Sequence, residues 1–403
     1  MKRILFVDDE LKVLQGLQRM LRSMRHEWNM EFATSGHEAL ETLSKSPFDV
    51  IVTDMRMPGM DGVQLLREVM KKHPGVIRII LSGQTDQGVF LSSSHLMHQF
   101  LSKPCDTESL KATIARACAL HDLVKDESLK KLVLQVESLP SLSKLYTEIL
   151  EMLQSPDVSM EKLGDIISRD LGMTAKILQI VNSAFYGLRR RISNPTEAVI
   201  ILGLSTLRAL VLSYQLFSSF EHIKLERFSA NALWKHSMIV GTFTKQIARD
   251  ENCPPKMLDD ALIAGMFHDI GKLIIVANLP LRYDKMLDLV REKNIPHREA
   301  EQEIFNGTHA EIGAYLLGLW GLSDSIIEAI AFHHVPTKCP AKTFTLVTAV
   351  HIADVLGNMA CPVESETGSQ VDYDYITEIG MSERLSVWRE SCMGILSKEI
   401  TDG

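Results

Sequence analysis

Ile4-Leu5-Phe6-Val7-Asp8-Asp9 and Val50-Ile51-Val52-Thr53-Asp54 decide how this chain begins to fold. Each is a short apolar run that ends in acid. Two further runs behave alike: Ile77 to Leu81 leads into Ser82, and Phe100-Leu101-Ser102 leads into Lys103-Pro104. An open parallel sheet binds its ligands beyond the carboxyl ends of its strands. Three carboxylates, a hydroxyl and a lysine at such ends suggest a site for a divalent metal and a phosphate. Strands are expected near 3–7, 30–34, 49–53, 76–81 and 99–102. Helical patterns follow them at Val13 to Met24, Glu38 to Leu43, Val63 to Lys71, more weakly after Asp86, and at Leu110 to Leu120. That alternation predicts a doubly wound α/β parallel sheet with helices on both faces. Pro58-Gly59-Met60-Asp61-Gly62 supplies a turn just after Asp54, where a strand-to-helix loop belongs. Taken singly, Asp8-Asp9 reads as a turn and Lys103-Pro104 as an exposed break; all of these positions at successive strand ends argue against that reading.

Residues 1–122 resemble the receiver domain of two-component response regulators, over the whole domain and at every hallmark position. The resemblance implies a five-stranded, flavodoxin-like sheet with Asp54 as phosphoacceptor. It implies Mg²⁺ held by Asp9, Asp54 and the main-chain carbonyl of Arg56, with Asp8 acting through water. Ser82 then contacts the phosphoryl group, Lys103 is its cationic partner and Phe100 is the aromatic switch. The chemistry is coherent on its own terms, because a carboxylate accepts a phosphoryl group only where charge on the incoming oxygens is neutralised.

From Thr107 to about Val136, Leu110, Ile114, Ala117, His121 and Val124 recur at helical spacing, and residues 123–138 are expected to form a helical linker. Asp126-Glu127-Ser128 is either a break or the solvated face of a continuous helix. From Leu139 strand patterns vanish, and amphipathic helices such as Leu145 to Leu153, Met160 to Ser168, Met173 to Ser183 and Leu204 to Phe217 take over. Residues 139–403 therefore read as a separate all-α domain, long enough for two lobes, with a capping helix near Leu385 to Leu396.

Composition narrows the classes. A 403-residue chain that is 45% hydrophobic can bury at least two cores. The net charge of −8 opposes a general nucleic-acid coat, and no basic recognition helix is evident. No apolar stretch approaches the roughly 20 residues of a bilayer span. Met1 to Asp9 reads as a first strand, not a signal peptide. The six cysteines show no CxxC pair, which fits reduced thiols and a cytoplasmic protein.

In the helical half the informative residues are His236, His268-Asp269, His309, His333-His334 and Asp354, all in or beside apolar helical patterns. Imidazoles and carboxylates are costly there unless paired or metal-bound, and the mixture suits Fe, Mn or Zn. Lys272, on the helix face of Asp269, could neutralise a bound phosphate. His222, His297 and His351 read as satisfied core histidines. Arg189-Arg190-Arg191 reads as a solvated loop, and Asn182 to Gly187 as a helix end with packing aromatics.

His236, His268-Asp269 and Asp354 resemble the signature of the HD phosphohydrolase superfamily. With His309 and His333-His334 they make most of the ligand set of the two-metal cyclic-di-GMP phosphodiesterases called HD-GYP. The segment after His334 lacks a Gly-Tyr-Pro loop, and Ala232 stands where many of those enzymes carry a bridging Glu. Leu139-Pro140, Ile167 to Asp170, Asn182 to Gly187, Ala198 to Gly203, Gly265 to Lys272, His309 to Gly313 and Trp320-Gly321-Leu322 are more similar to the HDOD domain, the HD-related output domain. That family is mostly regarded as signalling modules without demonstrated catalysis. The resemblances together imply a response regulator, phosphorylated on Asp54 by a sensor histidine kinase, whose helical domain contacts downstream signalling proteins or a second copy of the chain. The alternative they imply is a phosphorylation-gated metallophosphohydrolase acting on a cyclic nucleotide or cyclic dinucleotide.

Overall fold

The computed structural model describes residues 1–82, 98–103, 105–126, 129–130, 133–134, 148–149, 152–153, 158–181, 192–220, 227–319, 322–360 and 370–402. The described chain divides into two compact units, Met1–Ser138 with Tyr315–Leu322, and Leu139–Ala314 with Ser323–Gly403.

In the first unit β1 (Lys2–Val7), β2 (Trp28–Ala33), β3 (Val50–Asp54), β4 (Ile77–Ser82) and β5 (Gln99–Ser102) form one parallel sheet in the order β2-β1-β3-β4-β5. This is the flavodoxin-like winding, which reverses direction between β1 and β3 and opens a crevice there. Its central strands are buried on both faces, as their unbroken apolar runs require: Ile4, Leu5 and Phe6 in β1 and Val50, Ile51 and Val52 in β3 are at most 1% exposed. The register sets Asp54 opposite Leu81, so the acidic end of β3 lies level with the end of β4. One sheet face, with Leu5, Val7, Ile51 and Ile80, packs on Leu65, Leu66 and Val69 of α3 (Gly62–Lys72) and on Ala39 and Leu43 of α2 (Gly36–Lys45). α1 (Leu11–Met20) gives way to a 3-10 turn at Arg22–His26, which shortens the helix expected to reach Met24. Asp61 and Gln64 make a reciprocal capping box at the start of α3, which fixes the chain's exit from the loop after Asp54.

α4 (Thr107–Leu123) starts at an Asp106 cap and ends where Val124 turns extended. Residues 124–126 are not helical, and Asp126 accepts from the Leu129 amide at 3.0 Å, so α4 does not run on through Asp126; Glu127 and Ser128 lie outside the described residues. The weaker helix after Asp86, most of the helix at Leu145 to Leu153, and the motifs at Leu139-Pro140, Asn182 to Gly187, Arg189 to Arg191 and Trp320-Gly321 lie outside the described residues.

The second unit is helical throughout its described residues. It comprises α5 (Met160–Ser168), α6 (Leu171–Val181), α7 (Pro195–Phe220), α8 (Ala230–Asp250), α9 (Pro255–Phe267), α10 (Ile270–Asn278), α11 (Pro280–Lys293), α12 (His297–Phe305), the part of α13 (His309–Leu319) up to Ala314, α14 (Asp324–Phe332), α15 (Leu346–Ala360), α16 (Tyr373–Glu378) and α17 (Arg384–Asp402). α7 is broken at Gly203, whose φ of 75° leaves the right-handed helix and suits a residue without Cβ. Two apolar clusters lie within the unit. One joins Leu163, Ile167, Ile177, Val199, Leu207 and Val211 with Leu262 and Met266 of α9. The other joins Val240, Phe243 and Ile247 of α8 with Ala349, Ile352 and Ala353 of α15 and Trp388 of α17. α8, α9 and α15, which contribute to these clusters, also carry His236, His268 at the end of α9, and Asp354.

Among the described residues no single helix is long and apolar enough to cross a membrane. The pair Pro255–Asn278 and Pro280–Lys293 passes by length and composition together but bends by 117°.

Candidate functional site

The sheet's carboxyl edge gathers a compact polar site. Asp8 follows β1, Asp54 ends β3 and Lys103 follows β5. Lys103 Nζ donates to Asp8 Oδ2 at 2.8 Å and also to Asp54 Oδ1. Burial works against the Lys103 charge, but its bonds to Asp54 and Asp8 prevail and raise its pKa. The second Asp54 oxygen accepts the Arg56 N–H at 2.8 Å, and Asp8 Oδ1 accepts the Glu10 N–H at 2.9 Å. Asp9 is exposed beside them. Three carboxylates against one ammonium leave an excess of negative charge that suits a hard divalent cation with oxygen ligands, so the residues present fit Mg²⁺. The side chains of Ser82 and Phe100 lie outside the described set.

The helical unit builds a second, deeper site. His268 ends α9, Asp269 opens α10, His309 opens α13, His333 and His334 follow α14, His236 sits on α8 and Asp354 on α15. The seven come together although 118 residues separate His236 from Asp354. They form two sets with ligand atoms within 4.8 Å of one another: His236, His268 and Asp354, and Asp269, His309, His333 and His334. Asp269 faces both, with Oδ2 3.3 Å from His268 Nε2 and Oδ1 3.1 Å from His309 Nε2. His236 Nε2 lies 3.2 Å from Asp354 Oδ1, and His334 Nε2 lies 3.1 Å from His309 Nε2.

Local structure aims these rings. His268 Nδ1 bonds the Gly265 carbonyl at 2.8 Å and His333 Nδ1 bonds the Ile330 carbonyl at 2.6 Å, each three residues back along its own helix. Nδ1 thereby donates outward, and Nε2 of each ring is turned inward. His333 Nε2 is buried without a hydrogen-bond partner, with Asp269 Oδ1 3.9 Å away. Two sets of imidazole and carboxylate donors, with an inward nitrogen left unbonded, fit a pair of Fe, Mn or Zn ions.

The electrostatics are those of a sealed ionic cluster. His236, His268, Asp269, His309, His333 and Asp354 are at most 2% exposed, and the His334 side chain reaches 18%. Burial opposes the His268 charge, but Asp269 and Asp354 overcome it and push the pKa up to about 10. Burial together with the His268 and His309 charges takes His333 down to about 3. Against its own burial, Asp269 is held well below the usual carboxylate range by His268 and Lys272. Lys272 Nζ donates to Asp269 Oδ2 at 2.8 Å, so the lysine expected to meet a phosphate is bonded to the shared carboxylate.

Three contributors escape the sequence motifs. Glu301 accepts from His309, Asn358 donates to Asp354 Oδ1 at 3.0 Å, and His351 Nδ1 bonds the His333 carbonyl at 2.7 Å. His351 is satisfied as expected, since its Nε2 accepts the Asp372 N–H at 2.9 Å, but its partner is a site residue. Its spacing of three residues before Asp354 is the one sequence signal that bears on this. His297 departs from expectation: it is buried, yet neither ring nitrogen has a hydrogen-bond partner. His222 lies outside the described residues.

The family model for the response regulator receiver domain matches residues 4–115, and that for the HDOD domain matches residues 139–336. An uncharacterized protein of Treponema pallidum is 28% identical over 221 residues, 55% of this chain and 42% of its own length. An HDOD domain protein of unknown function from Geobacter sulfurreducens is 23% identical over 72% of this chain and 95% of its own, with a TM-score of 0.48. A response regulator receiver domain protein from Clostridium thermocellum is 30% identical, covering 30% of this chain and 98% of its own, with a TM-score of 0.29. The chain spans less than half the length of the curated relatives it matches.

Proposed function

We propose, for a chain that belongs to the response regulators and joins a receiver domain to an HDOD domain, that phosphorylation of Asp54 by a sensor histidine kinase controls contacts made by the helical domain. The observation that carries this reading is Lys103 held between Asp8 and Asp54 at the carboxyl edge of the sheet. Asp9, Asp54 and the Arg56 carbonyl would hold Mg²⁺ there, with Asp8 through water. The bound ion supplies positive charge against the phosphoryl oxygens. An Asp54 oxygen forms the new bond to phosphorus while the bond to the donor imidazole breaks, and Lys103 Nζ, already against the acceptor carboxylate, pairs with the incoming charge. Phosphorylation shifts a conformational balance only if one state binds the group better, so contacts of the helical domain must differ between the two states. Burial of the histidine centre supports an output through surface contacts with a downstream signalling protein or a second copy of the chain.

Acetyl phosphate with Mg²⁺ should label the wild-type chain and leave Asp54→Ala unlabelled, and hydrogen exchange in residues 139–403 should change with the label. Labelling that survives the substitution places the acceptor elsewhere.

One observation favours a second reading: the two oxygens of Asp269 face different histidines. A bound metal pair lowers the pKa of water and polarises a phosphate oxygen. His236, His268 and Asp354 on one side and Asp269, His309, His333 and His334 on the other would hold it. The reaction would be hydrolysis of a cyclic nucleotide or cyclic dinucleotide. Bound Fe, Mn or Zn, together with turnover of cyclic-di-GMP or cyclic-AMP that His268→Ala abolishes, would establish it; metal without turnover leaves the centre structural.

A further inference from the structure

Glu301 belongs to none of the motifs that mark the histidine centre, and it is the only carboxylate among the described residues bonded to the outward nitrogen of one of its rings. It sits on α12, 1% exposed. Both of its oxygens lie 2.8 Å from His309 Nδ1, and Oε2 also accepts the His309 backbone N–H at 3.0 Å. The chain makes this possible by turning sharply between the two helices. Asn306 takes a left-handed φ of 53° at the end of α12, and Thr308 and Glu311 bond each other's amides across the start of α13. His309 thus occupies a helix start, where a carboxylate is favoured by the exposed amides and the helix dipole.

The contrast with the neighbouring ligands matters. His268 and His333 donate their Nδ1 protons to neutral main-chain carbonyls, Gly265 and Ile330. A carboxylate in that position both fixes the tautomer and makes the inward nitrogen more basic than a carbonyl does. We infer that Glu301 is a positioning residue that presents His309 Nε2 inward and strengthens it as a donor, so that the set Asp269, His309, His333 and His334 binds metal more tightly than its own four side chains would. The inference rests on the reading of the centre as a metal pair. It concerns one of the two sets: no Glu301 contact reaches His236, His268 or Asp354 among the described hydrogen bonds.

The test uses the full-length chain and equilibrium dialysis against Mn²⁺ and Zn²⁺. Wild type should hold two ions, and Glu301→Gln should weaken one of them by about 10- to 100-fold while leaving the other unchanged. Equal weakening of both ions, or of neither, overturns the inference. A second readout is independent of metal. In metal-free protein at alkaline pH, ¹⁵N imidazole spectra should show the His309 proton on Nδ1. Glu301→Gln, which keeps an acceptor oxygen, should preserve that tautomer, and Glu301→Leu should lose it. An unchanged tautomer in Glu301→Leu overturns the positioning role even if metal binds. A wild-type chain that binds no metal while keeping the Nδ1 proton overturns the metal reading and leaves Glu301 as the residue that orients His309.

Discussion

Asp269 Oδ1 lies 3.1 Å from His309 Nε2, which ties the residue that opens α10 to the residue that opens α13. Because the other oxygen of Asp269 faces His268, one side chain serves both ligand sets. Asp269→Asn keeps the shape and removes the charge that two cations would share. Metal content measured by elemental analysis should fall from two ions per chain to one or none, whereas two ions retained at wild-type affinity would show that neither set depends on Asp269.

The approach of those two helices depends on a missing side chain. A Cβ placed on Gly271 would meet the His309 carbonyl oxygen at 2.0 Å and the Gly313 nitrogen at 3.0 Å, both main-chain atoms that cannot swing aside. Gly271→Ala must therefore part α10 from α13. The expected cost is roughly 1–3 kcal/mol, the range for overpacking a core. A denaturant melt should show it, together with weaker metal retention; wild-type stability in the variant would mean the helices separate freely.

α17 lies beyond the stretch matched by the HDOD family model, yet it packs in one apolar cluster with α15, the helix that carries Asp354. Trp388 is fully buried, and its Nε1 donates to Glu251 at 2.8 Å. Trp388→Ala removes a large core side chain and should cost about 3–5 kcal/mol, the usual range for such truncations. Chemical denaturation of the full chain measures this, and a loss under about 1 kcal/mol would show that α17 contributes little to the cluster.

His297 predicts a pH dependence of stability. Burial and the nearby Lys272 charge lower its pKa from an ordinary 6.5 to about 4. Below pH 6.5 the unfolded chain takes up a proton that the folded chain refuses, so its contribution disfavours folding progressively until the pH nears 4. At about 1.4 kcal/mol per pKa unit, the full effect is roughly 3 kcal/mol. His297→Gln should lose stability less steeply than wild type over that interval, and parallel curves would place the imidazole in contact with water.

The first half of the chain announces itself because its signals are local. An unbroken apolar run such as Val50 to Val52 means a strand buried on both faces, and the acid that ends the run must stand at the sheet's edge. Helix boundaries are softer, since capping competes with periodicity: α1 stops at Met20 in favour of a 3-10 turn, and α4 ends at Leu123, short of Asp126.

The histidine centre divides along the same line. Imidazoles and carboxylates embedded in apolar helices could be picked out from their cost alone, before any partner was known. What the linear order could not supply is who bonds to whom: that Asp269 faces two histidine groups, that Lys272 turns to Asp269, that Glu301 and not a carbonyl holds His309, and that His297 has no partner. Local pattern reports the price of burying a polar group. The atom that meets it is chosen by how separate helices pack, through contacts between residues far apart in the chain that no periodicity records.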